Sequence, residues 1–341
     1  MTTNSIKTIQ IHAPKDWKTE LSHTVNSTSE LLSRLGLHVQ DLSARQQAAR
    51  DFPLKVPESF VARMHYGDPK DPLLTQVLPC ATELHSSEQY SSDPLKESKH
   101  NPVPGIVHKY HNRILLIVSP NCAINCRYCF RRHFPYAENR QSKQQWQQAL
   151  DYIRSREEIN EVIYSGGDPL AANDQFLSWL TTQIAAIDHI KRLRVHTRLP
   201  VVIPSRVDNH LLNWLTNTRF KPVVVLHINH AQEIDQSLQT AVQRLLDQGI
   251  KVLNQAVLLR GVNDNAEALV SLSERLFDCG IIPYYLHLLD PVAGASHFDI
   301  PEQQALNLYR KIQSQLSGYL VPKLVRDIPG QKNKKISMIH D

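Results

Sequence analysis

No stretch of this 341-residue sequence stays apolar long enough to cross a bilayer; the longest runs, ILLIV at 114–118 and VVVL at 223–226, have the length of buried strands. The opening residues, MTTNSIKTIQIHAPKDW, hold neither an apolar h-region nor a small-residue cleavage site. No secretory signal is therefore expected, and the chain is expected to work in the cytoplasm, off any membrane. Charge of neither sign dominates: 38 Lys and Arg stand against 33 Asp and Glu, interleaved, for a formal +5. That gives no nucleic-acid stripe; only QKNKK at 331–335 is densely basic, and by itself it reads as a solvated terminus. Five cysteines, an odd number, make no disulfide framework. Internal repeats and low-complexity tracts are missing as well. What is present is a globular composition, 41% hydrophobic and 21% charged, with three of the five cysteines inside eight residues. In a reducing compartment such a cluster points to metal or redox chemistry.

Residues 1–100 are polar and predict a mainly helical region, with Leu21, Val25, Leu31, Leu32 and Leu35 on one face of TELSHTVNSTSELLSRLGL. The punctuated stretch SSDPLKESKHNPVPG predicts a boundary. After it, short β-branched runs alternate with amphipathic ones, from RILLIVS and QQWQQALDYIRS to LVSLSERLFDCG and IIPYYLHLLD. About six strand–helix units predict an α/β fold on a parallel sheet, which an open doubly wound sheet and a barrel satisfy equally. The unusual residues follow the strands: the cysteines follow RILLIVS, SGGDP follows EVIY, His227 and His230 end VVVLHINH, and Asp290 follows YYLHLL. In parallel α/β folds these ends gather at one face, so the residues are expected to converge.

Cys122, Cys126 and Cys129 stand in a CxxxCxxC spacing within PNCAINCRYCFRRHF. A four-iron cluster normally takes four thiolates. Three leave one iron open, and an open iron can coordinate and activate a small molecule. A zinc site with His133 as fourth ligand is the alternative. Ser165-Gly166-Gly167-Asp168 follows a strand; its glycines permit close backbone approach to a ligand, and Asp168 is placed to cap the next helix.

The cysteine spacing, with an aromatic before the last Cys, resembles the radical S-adenosylmethionine superfamily. The resemblance implies a partial (β/α)6 barrel and a [4Fe-4S] cluster on Cys122, Cys126 and Cys129. It further implies S-adenosylmethionine chelated at the open iron, with Ser165, Gly166, Gly167 and Asp168 at its methionyl group. Over nearly the whole chain, DPLLTQVLP, PGIVHKYHNRILLIVSPNCAINCRYCFRR, SGGDPL, RLPVVIPSR, NQAVLLRGVNDN and HLLDPVAGASHF are similar to the lysine 2,3-aminomutase family. That resemblance implies an isomerase that adds pyridoxal phosphate to the radical machinery and converts (S)-α-lysine to (R)-β-lysine. His227 and Gln255 match positions near the adenosyl group. Counting seven residues from Asp327 through DIPGQKNK selects Lys334 as the lysine that binds pyridoxal phosphate, with Lys332 and Lys335 as neighbours. Tyr110, Arg113 and Lys109 match its phosphate site, Arg131 the clamp on the substrate carboxylate, and Asp290 and Asp327 the acids that take the ε-ammonium.

The resemblance also implies three regions: 1–100, a partial barrel over 101–320, and a segment 321–341 carrying Lys334. The chain stops about seven residues after Lys334, like the branch that makes β-lysine for elongation factor P. There a lysyl-tRNA-synthetase-like ligase uses the product, and a reductant such as flavodoxin supplies electrons; a homo-oligomer is left open. Two other readings remain at this point. One is an aminomutase for glutamate or arginine, and a glutamate enzyme would lack the paired acids. The other is a non-enzymatic iron–sulfur protein, which would normally shield its cluster with a full thiolate set.

Overall fold

The computed structural model describes residues 16–38, 41–85, 87–139, 141–331 and 333–336. Its N-terminal part pairs two short strands antiparallel, β1 (Thr24–Val25) and β2 (Val56–Pro57). The single helical pattern read over 19–37 is broken there. Trp17–Ser22 and Thr28–Arg34 are separate helices capped by the Asp16 and Ser27 side chains, and Val25 leaves the helix to pair with Val56. Ser27 offers its hydroxyl to the Glu30 N–H, so a new helix start outcompetes continuation of the old one.

The rest of the chain builds one sheet, of nine strands among the described residues. These are β3 (Ile106–Tyr110), β4 (Arg113–Ser119), β5 (Glu161–Gly166), β6 (Arg192–Thr197), β7 (Val223–Leu226), β8 (Lys251–Val257), β9 (Ile282–His287), β10 (Lys323–Arg326) and β11 (Lys335–Ile336). From β4 to β10 every strand lies parallel beside the one before it. A doubly wound sheet reverses this order at a switch point, so the choice left open by the alternation falls to the barrel winding. Antiparallel β3 and β11 occupy the two edges, and the barrel is partial. The six expected units are present; β10 adds a seventh parallel strand that the sequence pattern did not mark.

Six helices cross between the parallel strands: Lys143–Arg154, Asp174–Ala185, Asn209–Thr216, Gln236–Asp247, Ala266–Asp278 and Glu302–Gln315. The first five begin at Ser142, Asn173, Asp208, Asp235 and Asn265, each of which accepts the N–H three residues on. Their apolar faces follow helical spacing, as with Leu238, Ala241, Val242 and Leu245. Trp17, Phe60 and Leu73 share one apolar core with Val162, Leu226 and Leu324, so the segments 1–100, 101–320 and 321–341 meet in a common interior. No helix among the described residues is long and apolar enough to cross a membrane.

Candidate active site

The strand ends converge as expected. After β4 the chain turns through Cys122, Cys126 and Cys129, none of which forms a disulfide. Burial raises the Cys122 thiol well above its usual range, and the neighbouring sulfurs of Cys129 and Cys126 raise it further. Cys129 is pushed up to about 11 by burial and then by Cys126. Thiols held protonated in this way ionise more readily once a cationic group stands beside them. Among the described residues no three His, Cys, Asp or Glu side chains converge on a point that one ion could fill. His133, the fourth ligand of the zinc alternative, is exposed, with Nε2 3.2 Å from the Ala293 carbonyl oxygen. Three cysteine thiols on one loop, none in a disulfide, are the donor set a multi-iron group takes. Cys80 lies elsewhere, its sulfur 2.9 Å from Thr82 Oγ1 and 3.4 Å from His297 Nε2, and Cys279 ends the helix Ala266–Asp278.

The glycines at the end of β5 are required by this loop. Gly166 has φ +124°, and a Cβ on Gly167 would stand 2.7 Å from the carbonyl oxygens of Pro120 and Asn121. The Gly167 N–H donates to Ser119 O at 2.8 Å and the Asp168 N–H to Asn121 O at 2.7 Å, stitching the two loops together. Ser165 Oγ accepts from Arg131 Nη1 at 3.0 Å. Asp168, expected at the methionyl group, uses its carboxylate within the protein. Its Oδ1 takes the Leu170 N–H and the Thr197 hydroxyl, and its Oδ2 takes the N–H groups of Arg198 and Leu199. With four donors on one carboxylate it is a scaffold that ties β5 to the end of β6.

Arg131, expected to clamp the substrate carboxylate, is buried and already carries an ion pair. Its Nε and Nη2 grip both oxygens of Glu97 at 2.7 and 2.9 Å, so the bidentate fork is already engaged. Only the Nη1 side, facing Ser165 and the Gly166 carbonyl, is turned elsewhere. The two residues matched to the adenosyl group meet each other: His227 Nε2 lies 2.6 Å from the Gln255 side-chain amide. Burial, with Arg198 and Arg131 nearby, lowers His227 to about 3 and keeps it neutral. His230 turns away and caps Ala231–Glu233.

Asp327, just past β10, gathers several of the expected cofactor residues. Lys334 Nζ is 2.8 Å from its Oδ2, Lys109 Nζ 3.3 Å from its Oδ1, and the Tyr110 hydroxyl donates to it at 3.2 Å. Burial would raise this carboxyl, but the two ammonium groups hold it below the usual range. Arg113 stacks on the Tyr110 ring at 4.1 Å and has no carboxylate partner among the described residues. Asp290 behaves in the opposite way. Burial pushes it up to about 7; Lys334 opposes this and Asp327 adds to it, and its side chain has no hydrogen-bond partner among the described residues. Lys332 lies outside the described residues, while Lys335 is exposed in β11.

Glu97, His196, His287 and Arg198 were not singled out from the sequence. Glu97 sits in the stretch read as a boundary. His196 and His287 face the same interior, are kept neutral by burial with Lys334 and His227 close by, and His196 Nε2 is buried without a partner. A signal existed for His196: with Arg194 it alternates against Leu193 and Val195, a polar row on the inner face of a strand.

The description of the radical SAM superfamily matches residues 116–213. An L-lysine 2,3-aminomutase of Escherichia coli (strain K12) is 49% identical over 330 residues, 96% of this chain and 96% of that protein. The L-lysine 2,3-aminomutase of Haemophilus influenzae is also 49% identical, over 96% of each chain. That of Clostridium subterminale is 32% identical over 96% of this chain and 80% of its own length. A radical SAM methyltransferase from Sphaerobacter thermophilus superposes with a TM-score of 0.44 at 18% identity, over 65% of this chain and 68% of that one. With such relatives aligned along nearly its full length, the chain belongs to the lysine 2,3-aminomutase family of radical S-adenosylmethionine isomerases, which work with a four-iron cluster, S-adenosylmethionine and pyridoxal phosphate.

Proposed function

We propose that this enzyme converts (S)-α-lysine to (R)-β-lysine in the cytoplasm, for attachment to elongation factor P by a lysyl-tRNA-synthetase-like ligase. Flavodoxin or a similar reductant supplies the electron. The observation that carries the lysine reading is the Asp290–Asp327 pair. Asp327 already holds the ammonium groups of Lys334 and Lys109, and Asp290 is a half-buried carboxyl with no hydrogen-bond partner among the described residues. A further ammonium, the substrate's, gives Asp290 the cation it has no other source for. An acidic substrate would meet two carboxylates and be repelled.

Cys122, Cys126 and Cys129 hold the cluster. Ser165, Gly166 and Gly167 border S-adenosylmethionine, with His227 and Gln255 toward its adenosyl part. Lys334 binds pyridoxal phosphate, whose phosphate falls to Arg113, Tyr110 and Lys109. When bound, the cluster with S-adenosylmethionine supplies hydrogen-atom abstraction, and pyridoxal phosphate supplies the π system across which an amino group moves between adjacent carbons. The chain does the positioning. Arg131, braced by Glu97, offers Nη1 to the substrate carboxylate, and the paired acids fix the far end, so the carbon between is held in one place. Neutral His196, His227 and His287 line the interior without adding charge. In this division 1–100 covers the cysteine loop, 101–320 is the barrel and 321–341 brings Lys334.

The test is anaerobic turnover of L-lysine by reconstituted enzyme, with glutamate and arginine as competitors. β-Lysine is the expected product. Turnover of glutamate with lysine ignored would overturn the reading. Transfer to elongation factor P is checked separately, by the mass of the factor after incubation with enzyme and ligase.

A further inference from the structure

The family motif RLPVVIPSR begins with a residue that has no place in the chemistry above. Arg198 follows β6, and its guanidinium is buried beneath the cysteine loop, with a side chain 7% exposed. Nη1 donates to the Cys126 sulfur at 2.7 Å and to the Tyr128 hydroxyl at 2.5 Å. Nη2 donates to Gln76 Oε1 at 2.7 Å and to Glu233 Oε2 at 2.9 Å. The four terminal hydrogens of the fork are therefore all used. The acceptors are themselves fixed: Asn229 Nδ2 donates to both Tyr128 and Gln76, and Glu233 Oε1 takes the N–H groups of Asn229 and His230. Among the described residues, Cys126 is the one sulfur of the three that accepts a side-chain hydrogen bond, and the donor is a full positive charge.

We propose that Arg198 is a positioning residue for the cluster, which orients the Cys126 sulfur and raises the cluster's reduction potential through this charge-assisted N–H···S contact. The inference rests on Cys126 being a cluster ligand. One electron enters from the reductant, and the cluster gains one negative charge while no bond to Arg198 forms or breaks. A cation hydrogen-bonded to a ligand sulfur stabilises that extra charge, so the reduced form is favoured. Glu233 balances the guanidinium charge from the Nη2 side, while the Nη1–H points at the sulfur, so in this buried site the nearer, positive end of the pair acts on Cys126.

Arg198→Gln alone would leave Glu233 buried without its cation, so the variant to use is Arg198→Gln with Glu233→Gln. The double variant, reconstituted anaerobically, is expected to keep four irons per chain and to show a lower midpoint potential in an electron-paramagnetic-resonance titration. A tenfold rise in the oxidised-to-reduced ratio at fixed potential is expected, which is 59 mV for one electron. A full cluster at unchanged potential overturns the proposal and leaves the ligand assignment standing. Failure of the ligand assignment is read separately, as Cys126→Ala that keeps all four irons. A measurement on the wild-type chain guards against a variant that does not fold. With ¹⁵N in the arginine guanidinium groups, the reduced cluster is expected to show a ¹⁵N hyperfine coupling, which Arg198→Lys removes. No such coupling in the wild type refutes the contact whatever the variants do.

Discussion

Replacing Asp290 with asparagine separates binding from folding, because the two effects have opposite signs. In the free chain the Asp290 carboxyl is pushed up to about 7 by burial and has no hydrogen-bond partner among the described residues. Its unfolded value is near 3.8, so over about three pH units the unfolded chain is ionised there and the folded chain is not. A raised acid destabilises the fold as pH rises through this window, by ~4 kcal/mol at most above pH 7 and by nothing below pH 4. Asparagine removes that penalty, so Asp290→Asn should raise the unfolding temperature of the free chain at pH 8 and leave it unchanged near pH 4. Substrate binding moves the other way. The ε-ammonium loses half of its carboxylate pair in a desolvated site, which costs about 2–5 kcal/mol, or roughly 30- to 5000-fold in kcat/KM for lysine. Lysine binding to the wild type should also tighten from pH 5 to pH 7 as Asp290 ionises, and this slope should vanish in the variant. Asp327→Asn makes the contrast. It strips a carboxylate from Lys334 and Lys109, so it should destabilise the free chain and also impair turnover. Thermal unfolding and anaerobic β-lysine formation on the same preparations decide the matter. Asp290→Asn that unfolds earlier at pH 8, or that turns over lysine within a factor of about three of wild type, refutes the reasoning.

Cys122→Ala, Cys126→Ala and Cys129→Ala should each lose the cluster's brown colour or leave a labile, inactive cluster, whereas Cys80→Ala and Cys279→Ala keep it; iron and sulfide content is the measurement. Lys334→Ala should bind S-adenosylmethionine but not retain pyridoxal phosphate covalently. Borohydride trapping and peptide mapping test this, and label on Lys332 or Lys335 would move the assignment. Glu97→Gln leaves the buried Arg131 charge without its carboxylate, about 3–5 kcal/mol, seen as a lower urea midpoint. Gly167→Ala drives a methyl into the Pro120 and Asn121 carbonyls and should loosen the cluster, giving faster iron loss to a chelator.

Short-range spacing carried a great deal by itself. Three cysteines within eight residues are kept on one loop, and six alternations of strand and helix allow few windings. The helix caps at Ser142, Asn173, Asp208, Asp235 and Asn265 are local hydrogen bonds, and local sequence is sufficient to specify them. Lys334 came from the family resemblance rather than from spacing alone, and its ammonium does meet Asp327, seven residues away. What the order of strands from β4 to β10 decided is which distant groups become partners. Lys109 reaches Asp327 across 218 positions, Arg198 reaches Cys126 across 72, and Arg131 finds Glu97 across 34. A guanidinium leaves the same mark in a sequence whether it is solvated, clamped by a carboxylate or aimed at a sulfur. Only burial beside a particular neighbour distinguishes these, because removing water is what turns a weak surface attraction into a fixed contact. The same cause sets Asp290 apart from Asp327: both are acids at strand ends, and the tertiary structure alone leaves one paired with two lysines and lowered, the other raised by burial.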